Sequence, residues 1–188
     1  MPSNELMERV SIRPWTAGDL QLLQRLLGNP DTMIHLGGPE SPTQIAERHT
    51  RYCSLDERGA GSMFVVLADG IDLGSVGYWN RHWHDDDVWE FGWSVLPEYQ
   101  GRGIATHAAL LALRHACSDG AQRFAHAFPS TENKASNAVC RKVGFECRGI
   151  VQFEYPKGNS MECVDWRMDL FSLAPTLPVI APGGRWRP

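Results

Sequence analysis

The chain has 188 residues, enough for one ordinary domain with a core of its own. Its apolar fraction of 43 % and charged fraction of 21 % are those of a globular protein and exclude disordered and fibrous classes. The formal net charge of −4 excludes the generally basic surface on which nucleic-acid binders depend, so we expect no nucleic-acid partner.

Hydrophobic periodicity and cap residues divide the chain into a series of predicted elements. In chain order they are a strand over 10–13, helices over 16–27 and 41–58, strands over 62–67, 73–79 and 88–95, a helix over 100–117, a strand over 123–128, a helix over 133–142, and strands over 145–154 and 161–170. The helix start at Ser41 is marked most clearly, because Pro42 and Gln44 complete a capping box. The polar stretch 80–87 is predicted to be a loop.

The connections between these elements predict a mixed α/β (α+β) fold. Most neighbouring strands are joined by short turns, whereas strands 88–95 and 123–128 are joined by a helix. A helical crossover makes two strands parallel, so we expect one parallel pair inside a mostly antiparallel sheet. Residues 1–170 are predicted to form a single domain, and the proline- and glycine-rich residues 171–188 to form a tail without a core function.

The loop between strand 88–95 and its crossover helix has the features of a phosphate site. Gly101 and Gly103 let a ligand approach the backbone, and Arg102 adds a positive charge. The free N–H groups and the dipole of the following helix favour an anion, which predicts a pyrophosphate site. The chain has no Walker GxxxxGK string, and Thr106 stands where a Rossmann loop needs its third glycine. The alternative is that the two glycines only shape a turn.

Two motifs together resemble a known family. Gln100-Gly-Arg-Gly-Ile-Ala105 resembles the Q/R-x-x-G-x-G/A signature of the GCN5-related N-acetyltransferases, the GNAT superfamily. The residues from Asn133 to Phe145 are similar to a second signature, N-x-x-S-x-x-x-x-x-K-x-G-F, of the branch that acetylates ribosomal-protein N-termini. The resemblance covers about residues 10–170. It implies the GNAT fold, a twisted central sheet of about seven strands with one splayed parallel pair and about four flanking helices.

The resemblance also implies that acetyl-CoA is the co-substrate and that no metal takes part. The pantetheine arm is expected to pair like an extra strand with the backbone of Trp93, Ser94 and Val95. The pyrophosphate is expected to rest on the N–H groups of Gln100, Gly101, Arg102, Gly103, Ile104 and Ala105. Asn133, Ser136 and Asn137 are expected near the pantetheine and the nucleotide, although Asn133 also fits a helix N-cap.

The activity that the resemblance implies is transfer of an acetyl group to a primary amine, by direct attack in a ternary complex. Candidate acceptors are a protein N-terminus, a small-molecule amine and an aminoglycoside-like antibiotic. Two alternatives stay open, namely an acyl group larger than acetyl and a non-catalytic acyl-CoA-binding or sensing module. A homodimer is compatible with the resemblance.

Glu90 is the candidate catalytic residue. Alternation along strand 88–95 separates it from the large apolar residues of the other face, and a buried carboxylate is costly without a partner. We therefore predict Glu90 to be the general base, acting directly or through a water, which is also a frequent arrangement in the family. The alternative is a carboxylate paired with an arginine, or exposed where the sheet opens. His126 is the reserve base, and its alternative is a hydrogen-bonded core histidine.

The proton donor for the leaving thiolate departs from the family pattern. Many members have a tyrosine where this chain has Cys140. A free cysteine on a helix most often packs as a small apolar side chain. We therefore expect a water, or the proton released by the ammonium, to serve in its place.

Several features predict a cytoplasmic protein without a membrane partner. No apolar run approaches the roughly 20 residues that span a bilayer, and residues 1–8 lack a signal-peptide pattern. The five cysteines are odd in number and irregularly spaced, which favours free thiols in a reducing compartment. The polar cluster His82, His84 and 85–87 is predicted to be a solvated turn rather than a metal site.

Overall fold

The computed structural model describes residues 9–155 and 158–173, so most of the predicted tail lies outside the described residues. The strands are β1 (Ser11–Pro14), β2 (Gly61–Ala68), β3 (Ile71–Trp83), β4 (Asp86–Val95), β5 (Phe124–Ala127), β6 (Glu146–Glu154) and β7 (Ser160–Asp169). The α-helices are α1 (Leu20–Leu27), α2 (Pro30–Met33), α3 (Pro42–Cys53), α4 (Ile104–Asp119), α5 (Lys134–Val143) and α6 (Leu170–Leu173). None of the helices in this part of the chain is long and apolar enough to cross a membrane.

The strands of the described residues form one seven-stranded sheet in the order β1-β2-β3-β4-β5-β7-β6. Neighbouring strands are antiparallel except β4 and β5, which are parallel because α4 carries the chain back between them. Within the described ranges, four helices of eight residues or more flank the sheet, together with the one-turn helices α2 and α6. The predicted fold class is confirmed.

Each face of the sheet has its own core. The face that carries Trp89 and Phe91 packs under α4, whose small buried residues, Ala108 and Ala112 among them, let the helix approach closely. We call the opposite side, which carries Glu90, the front face. It packs against α1 and α3 through a second apolar cluster that includes Leu23, Leu26, Ile45, Tyr52, Met63 and Val65.

Strands β4 and β5 are paired over a short distance. Among the described residues their register consists of two pairs, Trp89 with Ala125 and Glu90 with His126. β4 continues in register with β3 as far as Val95, whereas β5 ends at Ala127, two residues before Pro129. Beyond Glu90, the side of β4 that faces away from β3 therefore has no strand partner within the described residues.

One predicted loop, residues 80–87, is wrong, because the segment is mostly strand. β3 and β4 continue through it as a hairpin in which Trp83 lies opposite Asp86. Two residues stay outside the strands, and the first, His84, has the left-handed conformation (φ 56°) that two-residue hairpin turns need. The end of the hairpin is largely exposed, so its strands have the polar composition that is typical of a loop.

Two predicted helices are longer than the observed ones. α3 ends at Cys53 instead of residue 58, because residues 54–59 form turns. α4 begins at Ile104 instead of residue 100. The two glycines before it have left-handed φ angles of 73° and 81°, which an α-helix of L-residues does not contain.

The start of α1 is held by a buried carboxylate. Asp19 accepts hydrogen bonds from the backbone nitrogen (2.7 Å) and the hydroxyl (2.9 Å) of Thr16, which closes a capping box. Arg13 on β1 donates from both terminal nitrogens to the same carboxylate, at 2.7 and 2.9 Å. Burial alone would raise the pKa of Asp19, but the hydrogen bonds from Arg13 and Thr16 outweigh it and lower the pKa below its ordinary value.

We expect Asp19→Asn to destabilise the protein at neutral pH by about 1–3 kcal/mol, the range for loss of hydrogen bonds to a charged group. Because the folded-state pKa is lowered, this stability is present above the unfolded-state pKa and is lost as pH falls through the folded-state pKa. Urea unfolding at neutral and successively lower pH measures the difference. A difference in the free energy of unfolding between the wild-type protein and the variant that stays constant down to acid pH would contradict this account.

Candidate active site

A cavity of about 580 Å³ lies along the side of β4 that has no strand partner. Glu90 lies in its wall, and the glycine loop before α4 closes one end. Eleven of the predicted site residues line it: Glu90, Trp93, Ser94, Val95, Gln100, Gly101, Gly103, Ile104, Ala105, Asn133 and Ser136. The other two, Arg102 and Asn137, are not among its lining residues.

The loop before α4 is shaped to bind an anion. The Gln100 side-chain amide donates to the Val95 carbonyl at 2.9 Å, which folds the loop back onto the end of β4. Ile104 is buried and begins a 16-residue helix, so N–H groups without helical partners point towards the loop. Arg102 turns away from the cavity, because its side chain donates to the Glu98 carbonyl at 2.9 Å. The positive charge of Arg102 therefore attracts an anion from outside the cavity wall.

The two asparagines of the second motif have different environments. Asn133 caps α5, since its side-chain oxygen accepts from the Ser136 backbone nitrogen at 3.0 Å, and both residues line the cavity. Asn137 is buried behind the wall. It donates to the backbone oxygens of Ser130 (2.9 Å) and Asn133 (2.8 Å) and accepts from Trp166 Nε1 (2.8 Å). Its side chain therefore holds the cavity wall in place from the core side.

Glu90 combines a position in the cavity with an ion pair. Its side chain is 13 % exposed, and Arg81 Nη1 donates to Glu90 Oε2 at 2.9 Å. The arginine pair that sequence reasoning named as the alternative is therefore present, and the same carboxylate lines the cavity. A guanidinium partner offsets the cost of burying the carboxylate charge.

Arg81 is itself held by aromatic rings. Its guanidinium carbon lies 4.2 Å from the ring centroid of Phe153, 5.7 Å from Phe128 and 5.8 Å from Trp83. Cation–π contacts of this kind contribute about 0.5–2 kcal/mol each. The rings fix the guanidinium, and the guanidinium fixes Glu90. Sequence reasoning missed Arg81 because the end of β3 was predicted to be a loop.

A second ion pair stands at the cavity wall. Arg48 on α3 is paired with Glu40, and its Nη2 also donates to the Tyr155 hydroxyl at 2.9 Å. Burial alone would lower the pKa of Arg48, but the hydrogen bond to Glu40 leaves that pKa above its ordinary value. Both Arg48 and Tyr155 line the cavity. Their contact ties the β6–β7 hairpin to α3.

His126 lies in the core and not in the cavity. It is 5 % exposed, and its Nδ1 lies 2.7 Å from Asp165 Oδ1, while Asp165 Oδ2 accepts from Trp83 Nε1 at 3.1 Å. The hydrogen-bonded core histidine is therefore the observed arrangement. Within residues 9–155 and 158–173, no group of three or more His, Cys, Asp or Glu side chains is arranged to hold a metal ion.

Cys140 is separated from the cavity. It lies on α5 with 0 % exposure and is not among the lining residues. Burial raises the pKa of its thiol to about 12. The side chain packs as a small apolar group and does not reach the reacting atoms.

The seven-stranded sheet with its one parallel pair is the fold of the GNAT acetyltransferases. The chain belongs to the acetyltransferase (GNAT) domain family, whose model matches residues 9–146. The predicted superfamily is therefore confirmed.

Three known proteins show the extent of the similarity. The chain is 29 % identical over 147 residues to the spermidine N(1)-acetyltransferase of Escherichia coli K12. The aligned region covers 78 % of this chain and 77 % of the relative. RimL, a ribosomal L7/L12 alpha-N-protein acetyltransferase solved with coenzyme A, gives a TM-score of 0.73 at 20 % identity over 90 % of this chain and 96 % of its own. The aminoglycoside acetyltransferase AAC(6')-Ib, also solved with coenzyme A, gives a TM-score of 0.72 at 17 % identity. That match covers 89 % of this chain and 98 % of the aminoglycoside acetyltransferase. These structural matches show a shared fold.

The residues of the cavity fit acetyl-CoA. The backbone of β4 beyond Glu90 offers hydrogen-bonding groups to an extended arm, and the loop at its end offers N–H groups to a pyrophosphate. The cavity is continuous from that loop to Glu90, so an arm bound along β4 leads to the carboxylate.

We expect Cys140→Ala to retain the wild-type kcat, because the thiol is outside the cavity, whereas loss of a general acid would lower kcat by about 10²–10⁴-fold. Steady-state kinetics at saturating acetyl-CoA and amine measure this. The melting temperature of the variant checks that it is folded. A folded variant that binds acetyl-CoA with unchanged affinity but turns over at a small fraction of the wild-type rate would make Cys140 the acid.

Proposed function

We propose that this protein acetylates a primary amine by direct attack in a ternary complex, with Glu90 as the general base. The observation that carries the proposal is the position of the Glu90 carboxylate in the cavity wall, where β4 separates from β5. Acetyl-CoA supplies the activated thioester. The residues of the chain bind the two substrates, orient them and accept the proton.

The donor is held mainly by backbone. Trp93, Ser94 and Val95 offer N–H and C=O groups on the side of β4 without a strand partner. The loop from Gln100 to Ala105 receives the pyrophosphate, with the N-terminus of α4 behind it. Binding at both ends of the arm positions the thioester next to Glu90, and such positioning supplies much of the rate enhancement in a reaction of this type.

Glu90 takes the proton that the acceptor must lose. An amine arrives as an ammonium ion and becomes nucleophilic only after deprotonation. Arg81, held between the aromatic rings, keeps the carboxylate in one orientation and is a positioning residue. The leaving thiolate takes its proton from a water or from the ammonium-derived proton, because Cys140 is out of reach.

The charges around the cavity are compatible with a cationic amine. Among the described residues, the charged side chains that line the cavity are the carboxylates Asp31 and Glu90 and the cations Arg48 and Lys142, while Glu40 and Arg81 pair with Arg48 and Glu90. These positive and negative charges balance, and the relative that acetylates spermidine, a polyamine, supports a cationic acceptor. We therefore place small polyamines and aminoglycoside-like amines first in an acceptor screen, with peptides carrying a free N-terminus as the second class.

The proposed setting is the cytoplasm, where acetyl-CoA is available and thiols stay reduced. All five cysteines are free, which supports this compartment. The homodimer suggested by the family resemblance stays a prediction.

We expect Glu90→Gln to lower kcat by about 10²–10⁴-fold, because glutamine keeps the size of the side chain but cannot accept the proton. Release of free CoA in the presence of a screened amine measures the rate. Glu162→Gln is the matched control, since Glu162 is an exposed carboxylate on β7 outside the cavity. The control is expected to react at the wild-type rate.

Two outcomes of the same assay would overturn parts of the proposal. An unchanged rate for Glu90→Gln would remove Glu90 from the mechanism. Acetyl-CoA binding by the wild-type protein without turnover of any amine would favour the sensing module over the enzyme.

A further inference from the structure

Two glycines face each other on the front face, next to Glu90. Gly77 on β3 and Gly92 on β4 are directly opposite in the register, and the next pair on the same face is Trp79 with Glu90. Residues opposite each other in an antiparallel pair project to the same face. The glycine pair therefore forms a part of the sheet without side chains, directly beside the proposed base.

Large neighbouring side chains cover this glycine pair. A Cβ built on Gly92 would lie 2.6 Å from Cη2 and 3.3 Å from Cζ3 of Trp79, so the benzene edge of the indole lies over Gly92. A Cβ on Gly77 would collide with the sulfur of Met63. Gly92, Trp79 and Met63 all line the cavity, and together Trp79 and Met63 form its floor beside Glu90.

The indole is held in place by its surroundings. Trp79 packs against the apolar cluster between the front face and α1 and α3, to which Met63 also belongs. Its partner across the hairpin, Glu90, is fixed by Arg81. Close-packed side chains of this kind do not move aside without a cost in packing energy. The floor over Gly92 is therefore a stable boundary of the cavity.

We infer that Trp79 restricts the acyl donor to acetyl. The inference rests on the proposed function, since it requires the thioester to lie beside Gly92 and Glu90. An acetyl group has one methyl beyond the carbonyl, whereas a butyryl group has two further methylene groups that need the space occupied by the indole. Trp79 thus sets acyl-chain length, and the cavity fits acetyl-CoA in preference to longer acyl-CoAs.

The test compares acetyl-, propionyl- and butyryl-CoA with one amine acceptor. We expect the wild-type protein to favour acetyl-CoA over butyryl-CoA by about 100-fold or more in kcat/KM, the scale of discrimination that a closely packed apolar pocket gives. Trp79→Ala opens the floor, and its preference is expected to fall to about tenfold or less. The ratio between donors is measured within one protein, so it does not depend on the folded fraction.

Matched variants and a binding measurement complete the design. Trp79→Leu keeps an apolar floor and serves where the alanine variant is unstable; it is expected to shift the ratio in the same direction. Ile150→Ala removes an exposed apolar side chain on β6 outside the cavity and is expected to leave the ratio unchanged. Calorimetric dissociation constants for acetyl-CoA and butyryl-CoA are expected to converge in Trp79→Ala.

The outcomes separate the inference from the proposed function. Equal use of acetyl-CoA and butyryl-CoA by the wild-type protein, or an unchanged ratio in both Trp79 variants, would overturn the inference while acetyl transfer stands. A Trp79→Ala variant with an unchanged donor ratio and a raised KM for the amine would place the indole in the acceptor site, which also overturns it. Converging donor affinities in a protein that acetylates no amine would support the inference and contradict the proposed function.

Discussion

The separation of β4 from β5 beyond Glu90 is the constraint on which the whole site depends. If the two strands stayed in register, their backbone groups would pair with each other and leave no space between them. Helix α4 makes the strands parallel, and the short β5 with the proline after it ends their pairing early. The same crossover places the glycine loop and the N-terminus of α4 at the open end of the gap. One connection therefore supplies a backbone edge for an extended arm and an anion site at its end.

Charged side chains on the front face are fixed in pairs, and the pairs determine the shape of the cavity. Arg81 is held by aromatic rings and orients Glu90 in the wall. Arg48 is neutralised by Glu40 and reaches Tyr155, which joins the β6–β7 hairpin to α3. Each guanidinium is paired with a carboxylate, so neither is left to attract an anionic acceptor. The apolar floor of Trp79 and Met63 lies beside Glu90 in the same cavity.

The parts of this arrangement that depend on local chain properties could be predicted from the sequence. The crossover, the glycine loop and the position of Glu90 in a strand all follow from the hydrophobic pattern and turn residues of one continuous segment, residues 88–128. Contacts between distant segments could not. Arg48 and Tyr155 are 107 residues apart, and the Arg81–Glu90 pair needs a hairpin register that the polar composition of residues 80–87 concealed. Asn137 shows a further limit, because a motif match identifies a residue but not whether its side chain faces the cavity or the core.

Amide hydrogen exchange with and without acetyl-CoA tests most directly the claim that the open side of β4 and the glycine loop bind the donor. The account predicts slower exchange at Trp93–Val95 and in the loop up to Ala105 when acetyl-CoA is added. Exchange in β1 and β6, at the two edges of the sheet, should be unchanged. Protection that is absent from β4 and the loop, or that ATP produces equally in both segments, would contradict the account.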